Sequence, residues 1–189
     1  MFKFVTRLAA IALFAATAFS ANADTGREDF RLLALNLQEP SFTVQVSSTG
    51  PSAAKLRVGD KVTFHLSGID GGSVYAINLD SAGAVTLLFP NQFEGRDQKN
   101  GNTLQIPGAA AKYVLEVVGK PGSEIVKFFV LKGDTKAFEN VLKNSFAMNE
   151  AFPRGIKPIA TTVNSLDDYL KNPHGTVVRI ATVEYEIVH

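Results

Sequence analysis

Residues 56–91, LRVGDKVTFHLSGIDGGSVYAINLDSAGAVTLLFPN, constrain the fold more than any other stretch. Val62, Phe64 and Leu66 alternate there with Lys61, Thr63, His65 and Ser67, and Val58 extends the apolar set backwards. Side chains on a strand point to opposite faces in turn. A period of two therefore sends the apolar set into a core and the polar set to water. Gly59-Asp60 is a turn that launches this strand. After Ile69-Asp70-Gly71-Gly72 the chain returns through residues 74–79, and Asp80-Ser81-Ala82-Gly83 leads into residues 85–89. Gly83 can supply the positive φ of a hairpin bulge, and Pro90, with no N–H for a ladder, ends the third strand. The expectation is a β-meander of three strands.

Strand patterns recur on both sides of it. Residues 42–46 alternate cleanly, and residues 103–106 read as a short strand ending at Pro107. Residues 113–118 and 125–131 flank the turn 119–124 and predict a second hairpin. Its second arm is apolar on both faces, as in a central strand covered on both sides. The period then changes. Ala137, Phe138, Val141, Leu142 and Phe146 recur at three and four, an amphipathic helix with Asp134 placed as N-cap. Residues 147–162, with Pro153 and Pro158, read as an irregular crossing. Ser165 and Asp168 are spaced as a capping box for a short helix carrying Leu166, Tyr169 and Leu170. A long strand over 176–188 puts Arg179, Ala181, Val183, Tyr185 and Ile187 on one face, with Glu184 and Glu186 on the other. Between residues 24 and 40, Phe30, Leu32, Leu33, Leu35 and Leu37 fit a short helix or a strand, and the pattern does not choose. The fold class expected is mainly β: an antiparallel β-sandwich, Ig-like or similar, with one or two short α-helices inserted before the C-terminal strand.

Several of these residues carry a family resemblance. Gly59-Asp60-x-Val62-x-Phe64, Val74-Tyr75, Asp80-x-x-Gly83-x-Val85, Leu88-Phe89-Pro90-Asn91 and Ile106-Pro107 together resemble domain of unknown function 4384. The likeness spans roughly residues 42–131, and Leu88-Phe89-Pro90-Asn91 is its most specific run. Leu56 stands where the family pattern has an aromatic residue, and Ser73 where it has a glycine. The resemblance implies a bacterial, mostly extracytoplasmic, all-β accessory module, and it carries no enzymatic residues.

The first 23 residues read as a secretory signal peptide. Lys3 and Arg7 form its positive region, residues 8–19 its apolar run, and Ala21-Asn22-Ala23 a small-x-small cleavage site. A run of about a dozen residues is shorter than the ~20 that span a bilayer. The expectation is export to a periplasm and a single mature domain over residues 24–189, without an integral membrane segment. The whole chain has 19 Lys+Arg against 18 Asp+Glu, a balance that argues against nucleic acid as a partner. There are no cysteines, so no disulfide staples an exported fold, and its 14 Phe residues must supply the core.

No catalytic constellation emerges from the sequence. A hydrolytic triad needs a base, and the three histidines read as surface residues: His65 on the wet face of a strand, His174 in a turn, His189 at the end. Gly71-Gly72-Ser73-Val74 lacks the last glycine of a nucleophile elbow. No two histidines stand at ligand spacing, and residues 97–102 place Lys99 where a calcium loop needs oxygen, so no metal or cofactor is expected. Paired carboxylates need only be close in space, which sequence does not decide. Three functions stay in view: a non-catalytic interaction or envelope-assembly module whose partner is another envelope protein, a small-ligand or glycan binder, and a carboxylate-based hydrolase. The candidate partner site is the polar loop after Pro90, with Asn91, Phe93, Glu94, Arg96 and Asp97. An aromatic next to an arginine on a loop is a composition typical of interface anchors.

Overall fold

The computed structural model describes residues 23–33, 42–95 and 101–189. The expected signal peptide up to residue 22 lies outside them, as do Leu35, Leu37, Arg96 and Asp97. In chain order the elements are α1 (Ala23–Leu32), β1 (Thr43–Ser48), β2 (Lys55–Arg57), β3 (Lys61–Ser67), β4 (Ser73–Leu79) and β5 (Val85–Phe89). There follow β6 (Thr103–Ile106), β7 (Leu115–Glu116), β8 (Gly122–Lys132), α2 (Lys136–Ser145), α3 (Ile159–Lys171) and β9 (Val177–Val188). The five-stranded sheet has the order β2-β9-β8-β4-β5, and the smaller one the order β1-β3-β6 with β7 also on β3. Pairing is antiparallel throughout except between β2 and β9, which run parallel. No helix among the described residues is long and apolar enough to cross a membrane.

The alternating pattern of β8 builds the layers. Val126, Phe128 and Val130 point towards the smaller sheet, where they join Val62, Phe64, Leu66, Val74, Ala76 and Ile106. The Phe64 and Phe128 rings meet edge to face at 5.1 Å. Ile125, Phe129 and Leu131 point the other way, into a second core with Phe30 of α1, Phe138 and Leu142 of α2, and Val163 and Leu166 of α3. Phe138 is the hub of that core, with ring centroids 4.9 Å from Tyr75, 5.4 Å from Phe129 and 5.1 Å from Tyr169. The molecule is thus a β-sandwich whose larger sheet carries a helical layer on its outer face.

Mainly β architecture, two packed sheets and helices ahead of a final strand agree with the expectation. The connections differ. β3 does not pair with β4, so there is no three-stranded meander: the turn at Ile69–Gly72 carries the chain from one sheet to the other, and only β4 and β5 form a hairpin. Alternation fixes which face of β3 is buried but is silent on its neighbour. Likewise residues 113–118 and 125–131 do not form a hairpin. β7 stays on β3, and the chain changes sheets between Val117 and Gly122. Val58 is exposed on the turn. Residues 24–32 are helical, with Phe30 and Leu33 buried and Leu32 in water. Asp134 lies one residue too early to cap α2 as expected; its Oδ1 accepts from the Lys136 N–H at 3.0 Å, with Thr135 at the cap position. α3 begins at Ile159 rather than at Ser165. Pro158 is the N-cap, extended at ψ of 145° with its carbonyl accepting from the Thr161 and Thr162 N–H groups, and Ile159, Thr162, Val163, Leu166 and Tyr169 form one buried stripe. Ser165 sits in mid-helix and donates to the Thr161 carbonyl at 2.9 Å.

Two polar features fix α1 to the sheet. Lys127 of β8 is 1% exposed on the helical face. Its ammonium donates to the Arg31 carbonyl at 3.1 Å and to Thr182 Oγ1 at 2.9 Å, and lies 5.8 Å from the Phe30 ring centre. A cation at the C-terminal end of α1 meets carbonyls that no helical N–H satisfies. Arg31 in turn holds Glu184 with two bonds of 2.8 and 2.7 Å, which keeps that carboxyl below its ordinary range. Close packing does the rest. A Cβ on Gly26 would lie 2.5 Å from Ile159 Cγ2.

Three outcomes follow from this packing. Phe64→Ala should cost ~3–5 kcal/mol in a urea titration, and His65→Ala on the opposite face little. Gly26→Ala, which would stabilise an ordinary helix by ~1 kcal/mol, should here destabilise because Ile159 cannot yield at its branched carbon. Burial lowers the Lys127 pKa to about 8 from 10.5. The stability this group contributes is therefore present above 10.5 and lost as pH falls through 8. Lys127→Met should flatten that rise, measured by urea titrations at pH 7 and pH 10.

Candidate functional site

The loop after β5 is wound tightly onto the sandwich. Asn91 is 3% exposed. Its Nδ2 donates to the Leu88 carbonyl at 2.8 Å and to Tyr113 Oη at 3.0 Å, and its Oδ1 accepts from the Phe93 and Glu94 N–H groups at 2.8 and 3.0 Å. An asparagine side chain offers two donors and two acceptor positions, and all are used. Glu94 Oε2 accepts from Tyr113 Oη at 2.8 Å, and its Oε1 accepts from the Gly108 N–H at 3.0 Å. A Cβ on Gly108 would stand 2.3 Å from that Oε1 and displace the carboxylate. Gly95, at φ of +84°, faces the Phe89 ring, which a Cβ would meet at 2.4 Å.

Among the predicted partner residues, Asn91 and Glu94 therefore face inward and hold the loop together. Their polarity suggested solvent, but it is spent on the loop's own N–H groups and on Tyr113. Arg96 and Asp97 lie outside the described residues. Phe93 alone presents a surface: it is 43% exposed, with its ring stacked on Tyr113 at 5.6 Å and 6.0 Å from Phe152. Tyr113 is the buried support beneath it, and burial pushes its phenol pKa up.

Beside this loop the helical layer leaves a gap. A cleft of about 560 Å³ opens over the β4–β5 end of the larger sheet. Tyr75, Leu87 and Leu142 give it an apolar floor, while Gln92, Lys143 and Glu150 stand at its rim with the half-exposed Met148. Clefts of ~300–1,000 Å³ with apolar walls and a few polar groups are the usual form of ligand sites. The edge of β5 beneath is closed by the chain itself, since the Leu87 N–H donates to the Pro153 carbonyl and the Gly155 N–H to that of Val85, both at 2.8 Å. The cleft comes from two stretches remote in sequence, residues 73–95 and 139–153, and no local motif joins them. Only the buried Tyr75 among strand aliphatics hinted at a special position.

The carboxylates here are engaged. Glu139 Oε1 accepts from Thr135 Oγ1 at 2.7 Å and Tyr75 Oη at 3.2 Å, and Glu150 pairs with Arg154 at 3.7 Å. Lys143 makes no ion pair among the described residues. Elsewhere, Ser47 Oγ and His65 Nε2 lie 3.0 Å apart across β1 and β3. No carboxylate is bonded to that imidazole among the described residues, so the pair lacks the orienting acid of a triad. Glu124 is a buried carboxyl pushed up to about 7 by burial, but it sits between the sheets with Tyr185 and Asn78, away from the cleft. Among the described residues no three His, Asp or Glu side chains are grouped to hold a metal ion.

The hydrogen bonds of Asn91 set a measurable expectation. Asn91→Ala should destabilise by ~2–4 kcal/mol, because it leaves Tyr113, the Leu88 carbonyl and two backbone N–H groups short of partners. Gln92→Ala at the rim should change little, by thermal unfolding of the two variants.

No curated protein and no solved structure matches the chain. A family model does match part of it, over residues 55–132, from the first residue of β2 to the last of β8. The match begins after β1, later than the run of residues 42–131 expected from the motifs. The cleft straddles its boundary: Tyr75, Leu87 and Gln92 lie inside, and Glu139, Leu142, Lys143, Met148 and Glu150 outside. The β2–β8 segment of this chain matches the family described as Domain of unknown function (DUF4384).

Proposed function

We propose that this chain is a non-catalytic binding module of the periplasm, and that it holds a segment of another envelope protein in the cleft between α2 and the β5 edge. The observation that carries this reading is the cleft's composition. Its floor is apolar and its rim is polar, with Glu139 Oε1 accepting from Tyr75 and Thr135 and Glu150 beside Arg154. Phe93, exposed and braced by Tyr113, extends the apolar surface next to the cleft. Export rests on the N-terminal charge pattern and apolar run.

A small-ligand or glycan reading has one observation in its favour. The exposed Phe93 ring is backed by the Tyr113 ring, with centroids 5.6 Å apart and planes 29° apart, as the support of a stacking platform would be. The two readings part under mutation. The test is crosslinking of residues 24–189 in its own periplasm, for the natural chain and for Met148→Glu with Lys143→Glu. Both changed residues are exposed, so the melting temperature should stay unchanged while the crosslinked partner is lost. A folded double variant that captures the same partner at the same yield rejects the cleft. Loss of binding on Phe93→Ala alone, to oligosaccharide and not to protein, would favour the glycan reading.

A further inference from the structure

Between the two sheets, at the end where the chain changes from β7 to β8, lies a second cavity of about 50 Å³. Its walls are apolar, with Val62, Phe64 and Leu88 among them, and Glu124, Asn78 and Tyr185 are the polar groups that reach it from the larger sheet. Glu124 is 5% exposed. Its Oε2 accepts from Tyr185 Oη at 2.9 Å and from Asn78 Nδ2 at 3.3 Å. The charged and titratable groups around it are few. Tyr185 faces it from β9, Asp80 from the end of β4, and Arg27 of α1 from beside Asp80, while Glu116 of β7 stands on the cavity's outer wall. β3 and β5 present only apolar side chains.

The walls differ in strength. On one side are β4, β8 and β9, paired in long ladders inside the five-stranded sheet. On the other, beside Val62 and Phe64 of β3, is the strap formed by residues 114–118, whose strand β7 is two residues long and pairs with β3 at Lys61 and Val62 only. The strap is tied to the β2–β3 turn by the Val117 N–H on the Asp60 carbonyl at 2.8 Å and the Gly59 N–H on the Val117 carbonyl at 2.9 Å. Val114 within it is 39% exposed. A carboxyl that ionises in such a cavity has two donors and still needs water, since an unsolvated charge is costly in apolar surroundings. Water enters most cheaply through the weakest wall. That wall is the strap.

We propose that residues 114–118 are a proton-controlled flap over Glu124, closed while the carboxyl is protonated and loosened once it ionises. Burial places this event near neutral pH, with the carboxyl pushed up to about 7. The sign follows from the raised value. The stability that Glu124 contributes is fully present below its ordinary 4.5 and is lost as pH rises through 7. Strap opening would also disturb Tyr113, the residue just before it that supports Phe93.

Hydrogen exchange of residues 24–189 tests the flap. Protection of the Val117 and Gly59 amides, taken relative to an unstructured peptide at the same pH, should fall about tenfold or more between pH 6 and 8, the size a shift of one pH unit or more produces. The Val126 and Phe128 amides of β8, which exchange only when the whole fold opens, should stay far more protected than the strap amides at both pH values. In Glu124→Gln the strap amides should show no such fall. Equal profiles in the two proteins, or strap amides as strongly protected as those of β8 at both pH values, would overturn the proposal. Should Glu124→Gln not fold, the carboxyl carbon shift of Glu124 in the natural chain decides. Its midpoint should coincide with that of the strap amides, and strap amides that stay still while Glu124 titrates would reject the flap.

Discussion

The structure depends on a strand with no wet face. From Glu124 to Leu131 every residue of β8 is buried, including Lys127. A strand of this kind needs partners on both edges and cover on both sides. β4 and β9 supply the edges, the smaller sheet covers Val126, Phe128 and Val130, and the helices cover Ile125, Phe129 and Leu131. Sandwich and helical layer are thus two answers to one requirement. The ammonium of Lys127 is the exception that fits, because burying it costs less where the end of α1 offers a carbonyl and Thr182 a hydroxyl.

The layers also explain the cleft. α1 and α3 lie against one another, as the close approach of Gly26 to Ile159 requires, and α2 packs on Tyr75 and Phe129 through Phe138. Three short helices leave the β4–β5 end of the sheet open, and the irregular segment after α2 seals the β5 edge with backbone hydrogen bonds while leaving the face above it open. The segment matching the family supplies Tyr75 and Leu87 of the floor and one lip. The residues beyond it supply the opposite wall. Specificity built there would belong to this chain rather than to the family segment.

Much of this was legible in the sequence, for reasons that can be named. The period of β3 gave its buried face, the unbroken apolar run of β8 its central place, and the three-and-four spacing at 137–146 gave α2. What local pattern does not encode is which strand lies beside which. The turn at Gly71-Gly72 reads the same whether it closes a hairpin or crosses between sheets, and Gly119 to Gly122 likewise. α3 was missed at its start because Ser165 imitates a cap, whereas Pro158 and the stripe from Ile159 determine the start. At the candidate loop, Phe93 is both partly exposed and packed on Tyr113, which its sequence context does not distinguish. Asn91 and Glu94 were misassigned because a polar side chain does not announce whether water or the loop's own backbone will satisfy it. The cleft shows in the sequence only through Tyr75, since its walls meet only through the tertiary fold.

The claim on which the rest turns is that β8 needs the helical layer and β9 as much as it needs the smaller sheet, so that residues 24–189 fold as one unit. Urea unfolding of residues 24–189, set beside that of residues 55–132 alone, tests this directly. The account predicts a single cooperative transition for 24–189 and none for the excised segment, which would expose Ile125, Phe129 and Leu131 and lose the β9 partner of β8. A cooperative transition in the isolated 55–132 segment would contradict it.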